Sequence, residues 1–261
     1  MPELPEVDEA AGRLRAAVQG RRVRVLAALH PAQRRGLGAA IARRAVGRRI
    51  VAVERRGKHQ LLRLDDGASL HAHFRMDGDW HIGRSSAALP RFARVVLEVS
   101  GGVRVALVDA RALCTVSWHP AGHDPLPALG PEADDPALTA DVLRAMLAAR
   151  RGPIKNVLLD QRVVAGLGNI YAGEALWMAR INPRVAARSL SPARVARLLD
   201  AIRDTLRDGV TNEGRYRTGA RTVPLHVYGR EHARCDRCQA TIRRIVQGGR
   251  STYYCPSCQR R

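Results

Sequence analysis

The sequence predicts an α+β chain: an N-terminal, mainly antiparallel β-sandwich or barrel flanked by helices, then a helical domain that ends in a small Cys-rich β module. Three observations carry this reading. Short Val/Leu/Ile-rich runs separated by turn signals fill Arg22 to about Val108. Helix caps and helical spacing mark the second half, and four of the five cysteines fall in the last 27 residues.

The elements follow in order. After "PELPE", the apolar positions Val7, Ala11, Leu14 and Val18 recur at helical spacing, with acids in the first turn and Gly20 where a C-cap belongs. "DDG" at 65–67 and "SGG" at 100–102 punctuate the strand-rich segment as hairpin turns. Five prolines between Pro120 and Pro136 make a linker, beyond which Thr139 and Ser191-Pro192 read as N-caps of amphipathic helices ending near Gly152 and Gly209. The expected divisions are 1–119 for the β domain, 120–137 for the linker, 138–226 for the helical domain and 227–261 for the Cys-rich module.

Composition narrows the function. With 261 residues and 46% hydrophobic content the chain can bury an ordinary core. Lys and Arg number 44 against 24 Asp and Glu, a net charge of +20 spread through the chain, so a polyanion is the expected partner and nucleic acid the first candidate. No apolar run approaches the roughly 18 residues of a membrane span, and the start lacks the basic-then-apolar order of a signal peptide, so no membrane partner and a cytoplasmic, nucleoid-associated location are expected.

"CDRC" at 235–238 and "CPSC" at 255–258 are Cys-x-x-Cys knuckles 16 residues apart, a spacing that lets Cys235, Cys238, Cys255 and Cys258 converge on one zinc. Four thiolates leave no open coordination position, so this Zn2+ should be structural. Cys114 stands apart. Between the knuckles, "IRRIVQGGRSTYY" reads as two strands joined at Gly248-Gly249, projecting Arg250 from a hairpin tip where it suits a phosphate contact.

Taken together, "PELPEV", "RRGKHQLL", "HFRMDG", "GLGNIYAGEALW", "VYGR" and "GGRSTYYCPSC" resemble, in order and over the whole chain, the formamidopyrimidine-DNA glycosylase / endonuclease VIII family. The resemblance implies an N-terminal β-sandwich, a helix-two-turn-helix domain and a C-terminal β-hairpin zinc finger. It implies a monomeric base-excision repair enzyme acting on double-stranded DNA that contains oxidised bases or abasic sites, with glycosylase and abasic-site lyase activities.

It also assigns roles. Initiator methionine is normally trimmed before a small residue, and Pro2 would then present a secondary amine that attacks C1′ of the damaged nucleoside. A terminal amine has a reference pKa near 7.7–8.0 against about 10.4 for lysine, which lowers the cost of deprotonation by about 3.5 kcal/mol. Glu3 is the expected general acid/base at the sugar ring, and Glu6 a supporting carboxylate, although first-turn acids also simply favour a helix dipole. Lys58 and Arg250 complete the catalytic set as grips on phosphate beside the lesion. Asn169 matches a residue whose amide binds backbone phosphate, Glu174 an acid that orients the N-terminal segment, and Tyr228 in "VYGR" joins the DNA-contacting residues. Because the nucleotide must leave the stack, an apolar plug is needed, and Met76, Arg111 and Leu113 occupy the void-filling positions.

The resemblance departs at two places. The formamidopyrimidine branch usually carries an aromatic where Leu113 stands, and "NEGRYRTGARTVPLH" at 212–226, which should cover the extruded base, is shorter than usual and lacks the Gly/Phe pattern. Two other readings stay open: an endonuclease VIII-like enzyme for oxidised pyrimidines, and a non-catalytic zinc-ribbon DNA-binding protein. The second explains the charge and the cysteines but not "MPE".

Overall fold

The computed structural model describes residues 2–212 and 225–260. The chain divides into two compact units, Met1–Pro2 with Glu6–Pro127, and Glu3–Pro5 with Ala128–Arg261.

The first unit is an antiparallel β-sandwich. Strands β1 (Val23–Ala28), β6 (Ala93–Val99), β7 (Val103–Val108) and β5 (Asp79–Arg84) form one sheet in that spatial order. Strands β2 (Ile50–Arg56), β3 (His59–Leu64), β4 (Ser69–His73) and β8 (Thr115–His119) form the other. Alternating residues fill the core: Val53, Leu62, Leu64, Leu70 and Val116 from one sheet, and Leu26, Val95, Leu97, Val105 and Leu107 from the other. Helix α1 (Leu4–Val18) adds its expected stripe of Val7, Leu14 and Val18, all fully buried. Arg13 fixes the helix by donating to Asp79 Oδ1 and the Trp80 carbonyl, and Arg15 by donating to the Val53 carbonyl.

Two details differ from the sequence reading. The strands run on past Val108 to β8, because Thr115–His119 pairs with β4 through its register with 69–73. Between β1 and β2 the chain makes two short helices, α2 (Pro31–Arg34) and α3 (Ala39–Ala42), too brief to show periodicity.

The second unit is helical. Thr139 Oγ1 accepts from Val142 N to cap α4 (Ala140–Ala148), and Ser191 Oγ accepts from Arg194 N to cap α7 (Pro192–Thr211). Between them lie α5 (Ile154–Leu158) and α6 (Asn169–Met178). Helix α6 is buried from Tyr171 through Trp177 and forms the centre of a core with Leu143, Leu147, Leu158, Leu198 and Ile202. The expected ends need correction: α4 stops at Ala148, and α7 continues through Gly209 to Thr211. Gly209 is a contact residue and not a stop, since a Cβ there would lie 2.6 Å from Tyr171 Cε1 and 2.7 Å from Pro5 Cγ.

The C-terminal hairpin pairs β9 (Arg243–Gln247) with β10 (Arg250–Tyr254) across a two-residue Gly248-Gly249 turn, both at positive φ, the geometry that favours glycine in tight hairpins. The four sulfurs of Cys235, Cys238, Cys255 and Cys258 lie within 4.8 Å of one another, with Cys235–Cys258 at 3.9 Å and Cys238–Cys255 at 3.4 Å. A tetrahedral zinc with bonds of about 2.3 Å separates its sulfurs by about 3.8 Å, so the donor set fits one structural Zn2+. Thiolate charge is supported by Trp177 Nε1 donating to Cys235 Sγ at 3.4 Å and Cys258 N donating to Cys255 Sγ at 3.4 Å.

Among the described residues the module buries few apolar side chains: Val227, Ile242 and two of the ligands packed on Trp177, with Tyr254 besides. Zinc should therefore hold it folded. Cys238→Ser is expected to bind substoichiometric zinc and lose protection of the β9–β10 amides in hydrogen exchange, while the sandwich amides keep theirs. Gly209→Ala should cost about 1–3 kcal/mol in a denaturant titration, because the added methyl meets Tyr171 and Pro5 in a close-packed core.

Candidate active site and nucleic-acid interface

Helix α6 begins without a capping side chain of its own, since Gly168 occupies the N-cap position. Its free N–H groups are taken by Glu3, whose Oε1 accepts from Ile170 N at 2.9 Å and whose Oε2 accepts from Tyr171 N at 3.2 Å. The carboxylate, 1% exposed, thus sits at the positive end of the central helix. Glycine at 168 leaves room for this carboxylate, because a Cβ there would collide with Glu3 Cδ. Leu4 N donates to the Gly166 carbonyl at 3.1 Å and pins the next residue too. The sequence places Glu3 beside the dipole of its own helix; the structure gives it to another. Pro2, buried, is one peptide bond away, and Glu6 is buried in the first turn of α1.

The first turn of α6 also builds a polar hub. Asn169 Oδ1 accepts from Lys155 Nζ at 2.5 Å, and Asn169 Nδ2 donates to the Ser251 carbonyl at 3.1 Å. Lys155 Nζ further donates to the Ser251 carbonyl at 3.1 Å and Thr252 Oγ1 at 2.6 Å, so its three N–H groups have three acceptors. These bonds fix β10 against α5 and α6 immediately after Arg250, which stays exposed. Burial, with the charge of Arg250, lowers the Lys155 ammonium to about 8 against a partial opposing pull from Glu3. Lys155 is 1% exposed and is the residue that sequence reasoning missed. Its signal was a lone charge in the mostly apolar "IKNVLL", where a buried charge needs named partners.

Glu174 holds a segment distant along the chain. Its carboxylate accepts from His226 N at 2.7 Å, Val227 N at 3.0 Å and Tyr228 N at 2.9 Å, so it orients the turn that leads into the zinc module. Tyr228, held this way, packs edge-on against Tyr253 with centroids 5.3 Å apart. Residues 213–224, most of the stretch expected to cover an extruded base, lie outside the described residues.

In the first unit, Lys58 occupies the two-residue turn between β2 and β3, fixed by the Arg56–His59 pair, and is 7% exposed. Imidazoles border it. His59 Nδ1 and His71 Nε2 share a 2.8 Å hydrogen bond, and burial, with Arg75 and Lys58 adding repulsion, holds His59 down to about 4. Met76 stands 40% exposed on the β4–β5 turn, which Phe74 anchors edge-on against Trp80 at 5.6 Å. Arg111 and Leu113 share the β7–β8 loop, and Leu113 is 48% exposed. That loop is rigid by construction: the buried Asp109 carboxylate accepts from Arg111 N at 2.9 Å, Leu113 N at 2.7 Å and Cys114 N at 2.7 Å, while Gln33 Nε2 donates to the Cys114 carbonyl at 2.8 Å. Asp109 and Gln33 are positioning residues that the motif alone did not disclose.

The structure thus brings Glu3, Asn169, Lys155 and the residues next to Arg250 together in the second unit, and it presents Met76 and Leu113 as exposed apolar side chains on anchored turns in the first. Comparison with known proteins agrees with this arrangement. The formamidopyrimidine-DNA glycosylase N-terminal domain matches residues 1–116, the formamidopyrimidine-DNA glycosylase H2TH domain residues 129–219, and the zinc finger found in FPG and IleRS residues 234–261. The formamidopyrimidine-DNA glycosylase of Paracoccus denitrificans is 40% identical over 282 residues, covering 99% of this chain and 100% of that one. That of Chloroflexus aurantiacus is 39% identical over 273 residues, covering 99% and 98%. Among solved structures, Lactococcus lactis formamidopyrimidine-DNA glycosylase non-covalently bound to DNA containing an AP site superposes with a TM-score of 0.92 at 29% identity, covering 99% of this chain and 100% of that one. MutM in complex with DNA containing carbocyclic 8-oxo-G gives 0.92 at 30%, with both chains fully covered. Full-length identity, the same three domains in the same order and a four-cysteine cluster where the finger matches establish that this chain belongs to the formamidopyrimidine-DNA glycosylase family.

Proposed function

We propose that this chain excises oxidised bases from double-stranded DNA through the amine of Pro2, freed by removal of Met1, and then cleaves the strand at the resulting abasic site. One observation carries the proposal above the family resemblance: Glu3 is buried and held by two N–H donors at the start of α6, one peptide bond from Pro2. A nucleophile needs a fixed approach to carbon, and an anchored neighbour supplies it.

The Pro2 nitrogen attacks C1′ of the extruded nucleotide, and the C1′–N bond to the base breaks, the departing base taking a proton. Opening of the C1′–O4′ bond, with a proton delivered to O4′, leaves an iminium joining Pro2 to C1′. A secondary amine forms an iminium with no N–H to lose, so the positive charge persists and acidifies the C2′ protons. Loss of one expels the 3′ phosphate, and a second elimination expels the 5′ phosphate. Glu3 is the carboxylate suited to carry protons at the opened sugar. Lys58, Asn169 and Arg250 are assigned to phosphates, Tyr228 to the DNA backbone, and Met76, Arg111 and Leu113 to the space the nucleotide vacates. Glu6 supports the N-terminal turn. Lys155 acts through others: it fixes the Asn169 amide and β10, and so the position of Arg250. The protein is assigned as a monomer acting at the nucleoid.

Borohydride reduction in the presence of a duplex carrying 8-oxoguanine should fix a covalent protein–DNA adduct, and Pro2→Gly, or a chain in which N-terminal sequencing shows Met1 retained, should reduce it by at least about a hundredfold. Strong trapping with Met1 still attached would rule the assignment out. Duplexes containing formamidopyrimidine or 8-oxoguanine are expected to be cleaved ahead of those with thymine glycol. Removing the lysine should leave Asn169 Oδ1 and Thr252 without their donor, so Lys155→Met is expected to lose about 1–3 kcal/mol of stability at pH 7. The folded chain releases the Lys155 proton near pH 8, whereas the unfolded chain holds it to about 10.4. Between those values the unfolded state binds more protons, so stability at this site rises with pH. Parallel denaturant titrations from pH 8 to pH 10 should therefore show the parent gaining on Lys155→Met.

A further inference from the structure

The chain contains two phenylalanines, and they are treated oppositely. Phe74 is 1% exposed beneath the Met76 turn, whereas Phe92 is 40% exposed. Phe92 also has a φ of 64°, a left-handed backbone unfavourable for an aromatic residue. The next residues are irregular as well: the β6–β7 register skips between Ala93 and Val95, leaving Arg94 as the extra residue of a bulge. Two consecutive irregularities aim Phe92 and Arg94 away from the sheet pattern, and both are tied to the loop that carries Arg111 and Leu113.

The ties are specific. Asp109 N donates to the Phe92 carbonyl at 3.1 Å, Arg94 Nε donates to the Asp109 carbonyl at 2.6 Å, and Arg94 Nη2 donates to the Ala110 carbonyl at 3.0 Å. The Arg94 guanidinium lies 5.6 Å from the Phe92 ring centroid and that of Arg91 lies 4.5 Å from it. Arg94, with its fork committed to backbone carbonyls, is a fixed backing for the ring. Arg91 is exposed and can yield its place. A part-exposed aromatic ring outside the sandwich core, backed by a cation and joined to an anchored loop, is suited to stack on another π system.

We propose that Phe92 is a stacking platform for the base left without a partner opposite the extruded nucleotide. This rests on the glycosylase reading above and goes beyond it. Leu113, aliphatic and on the same loop assembly, can fill space but offers no π face, and Phe92 supplies one from the neighbouring strand start. The platform is indifferent to base identity, because every base has a π face. It therefore sets how firmly the enzyme holds a displaced opposite base and not which base it prefers.

The experiment compares binding to two duplexes, both with a tetrahydrofuran abasic analogue in the lesion strand, one with cytosine opposite and one with a second tetrahydrofuran opposite. Phe92→Ala should weaken binding of the cytosine duplex by about fivefold to 160-fold, the range for one stacked base, and leave the base-free duplex within about twofold. Phe92→Leu, which keeps apolar bulk, should behave like Phe92→Ala, and Leu113→Phe introduced into Phe92→Ala should restore part of the difference. Equal weakening on both duplexes, or no weakening on either, overturns the proposal, as does full affinity in Phe92→Leu. Thermal midpoints of all variants guard against misfolding, and borohydride trapping by the parent on the 8-oxoguanine duplex tests the glycosylase reading separately, so the two failures are distinguishable.

Discussion

The pair of hydrogen bonds from Ile170 and Tyr171 to Glu3 organises the second unit. A helix N-terminus buried in a protein core needs acceptors for its free N–H groups, and α6 carries none in its own cap. Bringing the third residue of the chain to serve that need has several effects. It explains Gly168, whose missing side chain makes room for the carboxylate. It leaves the Asn169 side chain, freed from capping, to join Lys155 and β10. It also commits Pro2 to within one peptide unit, about 3.8 Å between Cα atoms, of a position the helix determines. An electrostatic requirement of folding and the placement of Pro2 are therefore met by one contact.

Much of this was legible in the sequence, and the reasons differ by residue. Thr139 and Ser191 announced their helices because capping is local chemistry. The cysteines announced zinc because a tetrahedral thiolate set requires paired knuckles. Val7, Leu14 and Val18 announced the buried face of α1 by spacing alone. What stayed hidden depends on partners distant along the chain. Nothing near Glu174 says that it holds 226–228, more than fifty residues away. Lys155 reads as a solvated charge until Asn169, Ser251 and Thr252 are seen around it. Gly209 reads as a helix stop until Tyr171 and Pro5 are found where its side chain would be. Strand β8 was missed because five residues after an irregular loop carry too little periodicity.

The net charge of +20 gave the right partner class for only part of its apparent reason. Many arginines are structural ties to backbone carbonyls: Arg15 to Val53, Arg203 to Ala133 and Leu138, and Arg237 to Trp177. A guanidinium satisfies several carbonyls at once while its stem covers apolar surface, which explains why this chain uses it as an internal staple. The cations free to release counterions from DNA are consequently fewer than the composition suggests.

Trp177 lies where several of these threads meet. Its indole N–H donates to Cys235 Sγ, the Arg237 guanidinium sits 3.8 Å from its ring, and the His226 ring stacks on it at 4.1 Å. The chain has three tryptophans, and Trp80 is sealed in the sandwich core with its N–H on Gln60. The indole N–H therefore depends on the charge state of Cys235 Sγ, and the contacts that shape the finger also fix the surroundings of a tryptophan of α6.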